Sequence, residues 1–224
     1  RGVFRHRLGK DGARPLFATL SGAHLYGFPS VDSDYDVRGV FLRPLAEVLS
    51  LFPPRETIEL SGVEEGIEVD LVAHEARKFF LLLLKKNGYV LEQIFSPIVL
   101  VGGPALDELR EIAAGCVTRH VYHHYRGFAE NHLKMLAGEQ EKKVKTLLYL
   151  YRILLSGIHV LETGRIEAHL PTLAAGQPEI LDLIAAKKRE LATLASGESH
   201  RHERAIETLR ARLDESFANS KLDE

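Results

Sequence analysis

The chain has 224 residues, with 29 Lys and Arg against 31 Asp and Glu, and a formal net charge of −2. That length holds one large domain or two small ones, and the near-neutral balance argues against a protein that grips nucleic acid by bulk positive charge, though a local basic groove stays open. The one cysteine, Cys116, excludes an internal disulfide and a cysteine-based zinc centre and fits a reducing, cytosolic compartment.

The start, Arg1 to Arg7, has no apolar core of a signal segment. It begins on Arg rather than Met, so residues upstream stay open. The longest apolar run, Phe79 to Leu84, is far shorter than the roughly 20 residues a bilayer demands, so no membrane partner is expected. Leu16 to Ser21 reads as a buried strand ending at Gly22, and Gly27 to Ser33 as a turn-rich loop. Asp34 to Leu42 reads as a second strand, broken by Pro44. Glu56 to Leu60 and Ile67 to Ala73 read as two more, joined by a short acidic connection with Gly62 and Gly66. Ala76 to Lys86 reads as a helix buried on most sides and stopped by Asn87-Gly88. Ile98 to Val101 is a further short strand.

Beyond residue 104 helical periodicity takes over. Pro104 suits the first turn of a helix reaching about Leu136. A second runs from about Glu141 to Glu162, and its Leu147, Leu148, Leu150, Ile153, Leu154 and Leu155 read as core. Pro171 and Pro178 bracket a loop, and two more helices cover about 179–194 and 198–217. The fold class is therefore α+β: a small mixed sheet in residues 1–104, then an all-α bundle in 105–224.

The sharpest feature is Ser21-Gly22-Ala23-His24-Leu25-Tyr26-Gly27 followed by Ser33-Asp34-Tyr35-Asp36-Val37-Arg38-Gly39-Val40. Side chains alternate along a strand, so Asp34 and Asp36 share one face about 7 Å apart. Like charges so placed repel, and a cation removes the conflict. In Ile67-Glu68-Val69-Asp70-Leu71-Val72-Ala73 the apolar residues form one face, and Glu68 and Asp70 the other. If that strand lies beside the Asp34 strand, Asp34, Asp36 and Asp70 meet at one point and suit magnesium or manganese, which prefer oxygen ligands and bind substrate phosphates as well. Gly22 lets a ligand approach the backbone, and a short helix starting at Ala23 would turn its N–H groups to phosphate. Such equipment suits nucleotidyl transfer, in which two metals clamp the attacking and leaving oxygens, and the third carboxylate accepts the acceptor's proton.

These motifs resemble the signature of the DNA polymerase β nucleotidyltransferase superfamily. The run Asp34 to Phe41, and Lys86 to Pro97, resembles its branch of predicted nucleotidyltransferases that includes proteins associated with RNA-ligase repair operons. The resemblance implies a magnesium- or manganese-dependent enzyme, with two ions, that moves a nucleoside monophosphate from an NTP to a hydroxyl acceptor such as an RNA end. Asp34, Asp36 and Asp70 would be its catalytic and metal-binding residues. Ser21, Gly22 and Ala23 would cradle phosphates, and the helical bundle would close the nucleotide cleft. Where the superfamily usually has Gly-Ser or Gly-Gly, this chain has Gly22-Ala23, and so no hydroxyl at that position.

Between Arg110 and Arg152 stand eight Lys and Arg against four Glu. Lys145, Tyr149 and Arg152 share a helix face, and helical-domain basic residues of the superfamily often touch the triphosphate; a solvated helix face is the alternative. His120, His123 and His124 form a cluster with Tyr122 and Tyr125, readable as a metal site, a polar groove or inter-helix packing. Arg126 with His132, and Arg152 with His159, match the short Arg-x(4–6)-His motif of HEPN ribonucleases. Cys116 reads as a small buried hydrophobe. Two other functions therefore stay open: a non-catalytic or antitoxin-like regulator, and a ribonuclease in the helical part.

Overall fold

A computed structural model describes residues 12–64, 66–194 and 197–224; the Arg1–Arg7 start lies outside them. The fold is α+β, as the periodicities imply. Contacts divide the chain into two compact units, residues 1–25 with 33–116, and residues 26–32 with 117–224.

The first unit is built on a five-stranded mixed sheet in the order β3-β4-β2-β1-β5. Its strands are β1 (Arg14–Leu20), β2 (Tyr35–Leu42), β3 (Thr57–Glu64), β4 (Ile67–Glu75) and β5 (Val99–Val101). All pairs are antiparallel except β2 with β4. The period-two alternation read from the sequence puts Ala18, Leu20, Val37, Phe41, Leu71 and Ala73 into one buried cluster. That cluster fixes the register, since a slip of one residue would turn every apolar side chain outward. Gly62 lies within β3 rather than in a connection, so the β3–β4 turn is tighter than the two glycines suggest.

The short helices α1 (Gly22–Tyr26) and α2 (Leu45–Val48) follow β1 and β2. After β4 come α3 (Ala76–Leu84), α4 (Gly88–Phe95) and, beyond β5, α5 (Pro104–Ala114). Two sequence expectations change here. Asn87 does not merely stop a helix: its side chain accepts the Tyr89 N–H at 3.0 Å and caps α4. In α3 only Ala76, Phe79 and Leu83 are buried, while Phe80, Leu81 and Leu84 are exposed. The apolar run therefore presents one buried stripe rather than a helix wrapped on most sides.

The second unit contains α6 (Val121–Gly138), α7 (Val144–Thr163), α8 (Leu170–Leu173), α9 (Pro178–Lys188) and α10 (Ser199–Asn219). The long helix expected from Pro104 to Leu136 is two helices, because the Gly115 N–H turns back to the Ile112 carbonyl at 3.1 Å and closes α5. α8 takes in Pro171 and ends at Leu173, so only the start of the segment that reads as loop is helical. Cys116 is half-buried rather than fully inside. α7 is long and apolar enough to cross a membrane by length and composition, and most of it is buried inside the protein; it is the core helix of this unit. Leu147, Leu148, Leu150, Ile153, Leu154 and Leu155 are all buried. At Gly157 a Cβ would fall 2.9 Å from both Leu213 and Tyr125, so glycine there lets α7 approach α6 and α10 closely.

The segment 26–32 belongs with the helices. The Tyr149 ring meets Tyr26 and Phe28 edge-on, with centroids 5.7 and 5.5 Å away. The Arg152 guanidinium lies over the Tyr26 ring at 4.1 Å. Lys187 donates to Ser30 Oγ, which in turn donates to Asp32 at 2.5 Å.

Candidate active site

β1 ends at Leu20 and the chain turns through Ser21 and Gly22 into α1. Gly22 has φ of +59°, a left-handed conformation strained for any side chain, and a Cβ there would fall 1.7 Å from Oδ2 of Asp36. The Ser21 N–H donates to the Asp36 carbonyl at 2.9 Å. Glycine thus allows a carboxylate on β2 to lie against the backbone of the turn. Ala23 is buried beside it.

The parallel pairing of β2 with β4 sets Asp36 directly opposite Asp70. Two carboxylates in that position repel. A cation from the chain itself lies between them. Arg38, two residues along β2 and on the same face, donates from Nη2 to Asp36 Oδ1 at 2.6 Å and to Asp70 Oδ2 at 3.1 Å. Its Nη1 donates to the Asp70 carbonyl at 2.8 Å and the Val37 carbonyl at 3.1 Å. The other oxygen of Asp70 accepts from Ser61 Oγ at 2.8 Å.

Burial pushes the Asp36 carboxyl above its ordinary value; the Arg38 charge opposes this, while Asp34 and Asp70 add to the rise. Asp34 stands one residue before β2. Its neighbour Tyr35 stacks on the His24 ring at 4.1 Å. The register therefore brings Asp36 and Asp70 together, with Asp34 within electrostatic reach.

Two carboxylates in register with a third nearby suit a hard divalent cation by their donor chemistry. As the side chains stand, no three His, Cys, Asp or Glu groups among the described residues converge on one metal position. Arg38 spans the gap instead. The sequence signal for Arg38 was its spacing: a basic residue at the next same-face position after a carboxylate.

Lys145, Tyr149 and Arg152 lie on α7 in the helical unit. Lys145 is exposed, and with Lys187 its charge helps lower the Asp32 carboxyl, whose main cause is the Ser30 hydrogen bond. Tyr149 is half-buried, with the His132 ring parallel to it at 6.1 Å. Arg152 is 1% exposed and lies over the Tyr26 ring, a packing role that its spacing with Lys145 did not reveal.

His120 and His123 stack on each other at 5.9 Å, whereas His124 packs against Tyr125 and Phe128. The three imidazoles thus divide between different neighbours. Arg126 pairs with Glu130 at 3.5 Å and Asp214 at 3.6 Å, and His132 Nδ1 lies 3.2 Å from the Phe128 carbonyl.

Comparison with known proteins agrees with this architecture. A family model described as RlaP, RNA repair pathway DNA polymerase beta family, matches residues 6–224. The uncharacterized protein MJ0002 of Methanocaldococcus jannaschii is 30% identical over 213 residues, covering 93% of this chain and 86% of that protein. The uncharacterized protein YcgL of Bacillus subtilis is 31% identical over 149 residues, 65% of this chain and 55% of that one. Among solved structures, the spectinomycin adenyltransferase AAD(9) from Enterococcus faecialis, with ATP and spectinomycin, superposes with a TM-score of 0.50 at 14% identity, covering 95% of each chain. At that identity the likeness concerns the fold alone. The family match spans nearly the whole chain, and the chain belongs to the RNA repair pathway DNA polymerase beta family, within the polymerase β-like nucleotidyltransferases.

Proposed function

We propose that this protein transfers a nucleoside monophosphate from an NTP to a hydroxyl acceptor with release of pyrophosphate, in the presence of magnesium or manganese. One observation carries the reading: Asp36 stands in register with Asp70 and lies against the left-handed turn at Gly22. Asp34, Asp36 and Asp70 hold the metal, two ions in the full reaction. When bound, the ions supply positive charge to the attacking and leaving oxygens.

The chain's own residues do the rest. The acceptor oxygen forms a bond to the α-phosphorus as the bond from that phosphorus to the bridging oxygen breaks, and pyrophosphate leaves. The acceptor's proton passes to Asp70 or to a base that Asp70 orients. Gly22 and Ala23 offer backbone N–H groups to the β and γ phosphates, and Ser21, whose own N–H is taken by the Asp36 carbonyl, offers its hydroxyl.

The family's description supports an RNA end as the acceptor, and the ATP of the AAD(9) structure supports an NTP donor. The test is direct. The full chain is incubated with magnesium, each α-labelled NTP, and RNA carrying a free 3′ hydroxyl. Label is expected to enter RNA, and chelation or the double substitution Asp34→Ala/Asp36→Ala is expected to abolish the transfer. Transfer that persists in the double variant overturns the assignment.

A further inference from the structure

Arg38 is a residue that the proposed reaction does not use, yet it makes the densest set of polar contacts at the site. Its two terminal nitrogens do different work. Nη1 is tied to the carbonyls of Asp70 and Val37, which are fixed in the sheet. Nη2 reaches one oxygen of each facing carboxylate, at 2.6 and 3.1 Å. The remaining Asp70 oxygen is held by Ser61, and the remaining Asp36 oxygen lies against Gly22. The two oxygens facing each other across the β2–β4 pair are thus the two that Arg38 takes.

Those are the oxygens that a divalent ion would also take, at about 2.0–2.1 Å for magnesium. A guanidinium nitrogen and a divalent ion sharing the same two oxygens would stand only a few ångströms apart, and like charges at that range repel strongly at partial burial.

We infer that Arg38 is a resident counter-cation, which holds Asp36 and Asp70 together in the metal-free protein and which a divalent ion must displace from their oxygens in order to bind. The inference rests on the functional reading above, since it takes Asp36 and Asp70 as metal ligands. Its consequence is specific. The two carboxylates are held together without metal, with one of their charges offset, and the affinity for metal alone is set low by an internal competitor. Tight loading then awaits a nucleotide, whose phosphates supply further oxygen ligands and a new acceptor for the released Nη2.

The experiment measures manganese binding to the full chain without nucleotide, by water-proton relaxation. Removing the competitor in Arg38→Gln is expected to tighten binding by about tenfold or more, a change worth roughly 1.4 kcal/mol per decade. Manganese should also raise the melting temperature of this variant more than that of the wild type. Arg38→Lys keeps a charge but lacks the fork that spans both carboxylates and the Asp70 carbonyl, so an intermediate affinity is expected. This variant also serves if Arg38→Gln does not fold.

Equal or weaker manganese binding in a folded Arg38 variant, with binding lost in Asp36→Asn, overturns the competitor role and leaves the metal site standing. Wild-type affinity retained in Asp36→Asn overturns the site reading itself, and the inference with it.

Discussion

Oδ2 of Asp36 occupies the space that a Cβ on Gly22 would fill, with only 1.7 Å between the two positions. The turn and the carboxylate are therefore a single unit of geometry, although 14 positions of sequence numbering separate them. Gly22→Ala must either move Asp36 or unwind the turn, and the left-handed φ adds strain of about 1–2 kcal/mol. Nucleotidyl transfer is expected to fall by about 100-fold or more, since a misplacement of about 1 Å costs that much. Single-turnover transfer measured beside a melting curve checks it: a folded variant with wild-type rate contradicts this coupling.

A second expectation concerns stability. The Asp36 carboxyl is raised, with burial the largest cause. A raised group stabilises the fold below its unfolded value and loses that contribution as pH rises through its folded value. At neutral pH the ionised Asp36 is therefore a net cost. In chelator, Asp36→Asn is expected to melt above the wild type at pH 7, with the gap closing as pH falls through the raised value of the carboxyl. A lower melting temperature for the variant at pH 7 would contradict this balance.

His124 gives the opposite slope. Burial, helped by the Arg152 charge, lowers its pKa to about 4. A base lowered from its usual 6.5 supports the fold above that value and loses the contribution as pH falls toward 4, a change of about 3 kcal/mol. His132 and His202 are lowered by burial in the same direction. Urea midpoints measured from pH 7 to pH 4.5 are expected to fall, and His124→Leu should flatten the curve. An unchanged slope in that variant would assign the acid sensitivity elsewhere.

Tyr151 and His202 meet inside the helical unit, hydroxyl to Nδ1 at 2.8 Å. Tyr151→Phe leaves a buried ring nitrogen without that partner, at about 1–3 kcal/mol. The double variant Tyr151→Phe/His202→Phe is expected to recover part of the loss, because both polar atoms are then gone. Chemical denaturation of the three proteins measures the coupling, and strict additivity would count against it.

The sequence made the carboxylates and the glycine turn legible because both follow short-range rules. Asp34, Asp36 and Asp70 sit at period-two positions, and Gly22 closes a strand. What stayed hidden depends on neighbours distant in sequence. Arg38 reads as one more strand residue until β4 is laid beside β2 and sets two like charges together. Arg152 looks like a surface cation by helical spacing, yet the ring of Tyr26, far earlier in the chain, receives it. Asn87-Gly88 reads as a stop because the same residues that end one helix can cap the next. Phe80, Leu81 and Leu84 look buried by composition, and only their angular positions on α3 decide otherwise.

The segment 26–32 follows the glycine turn and precedes Asp34, yet its packing partners are Tyr149, Arg152 and Lys187 on α7 and α9. No single cut can therefore release the sheet intact. An expression fragment ending at Cys116 would keep this loop while discarding everything that shapes it, and the slack would enter the chain at the residues on either side. Dissecting the two units demands a shortened linker in place of residues 26–32, rather than a stop codon.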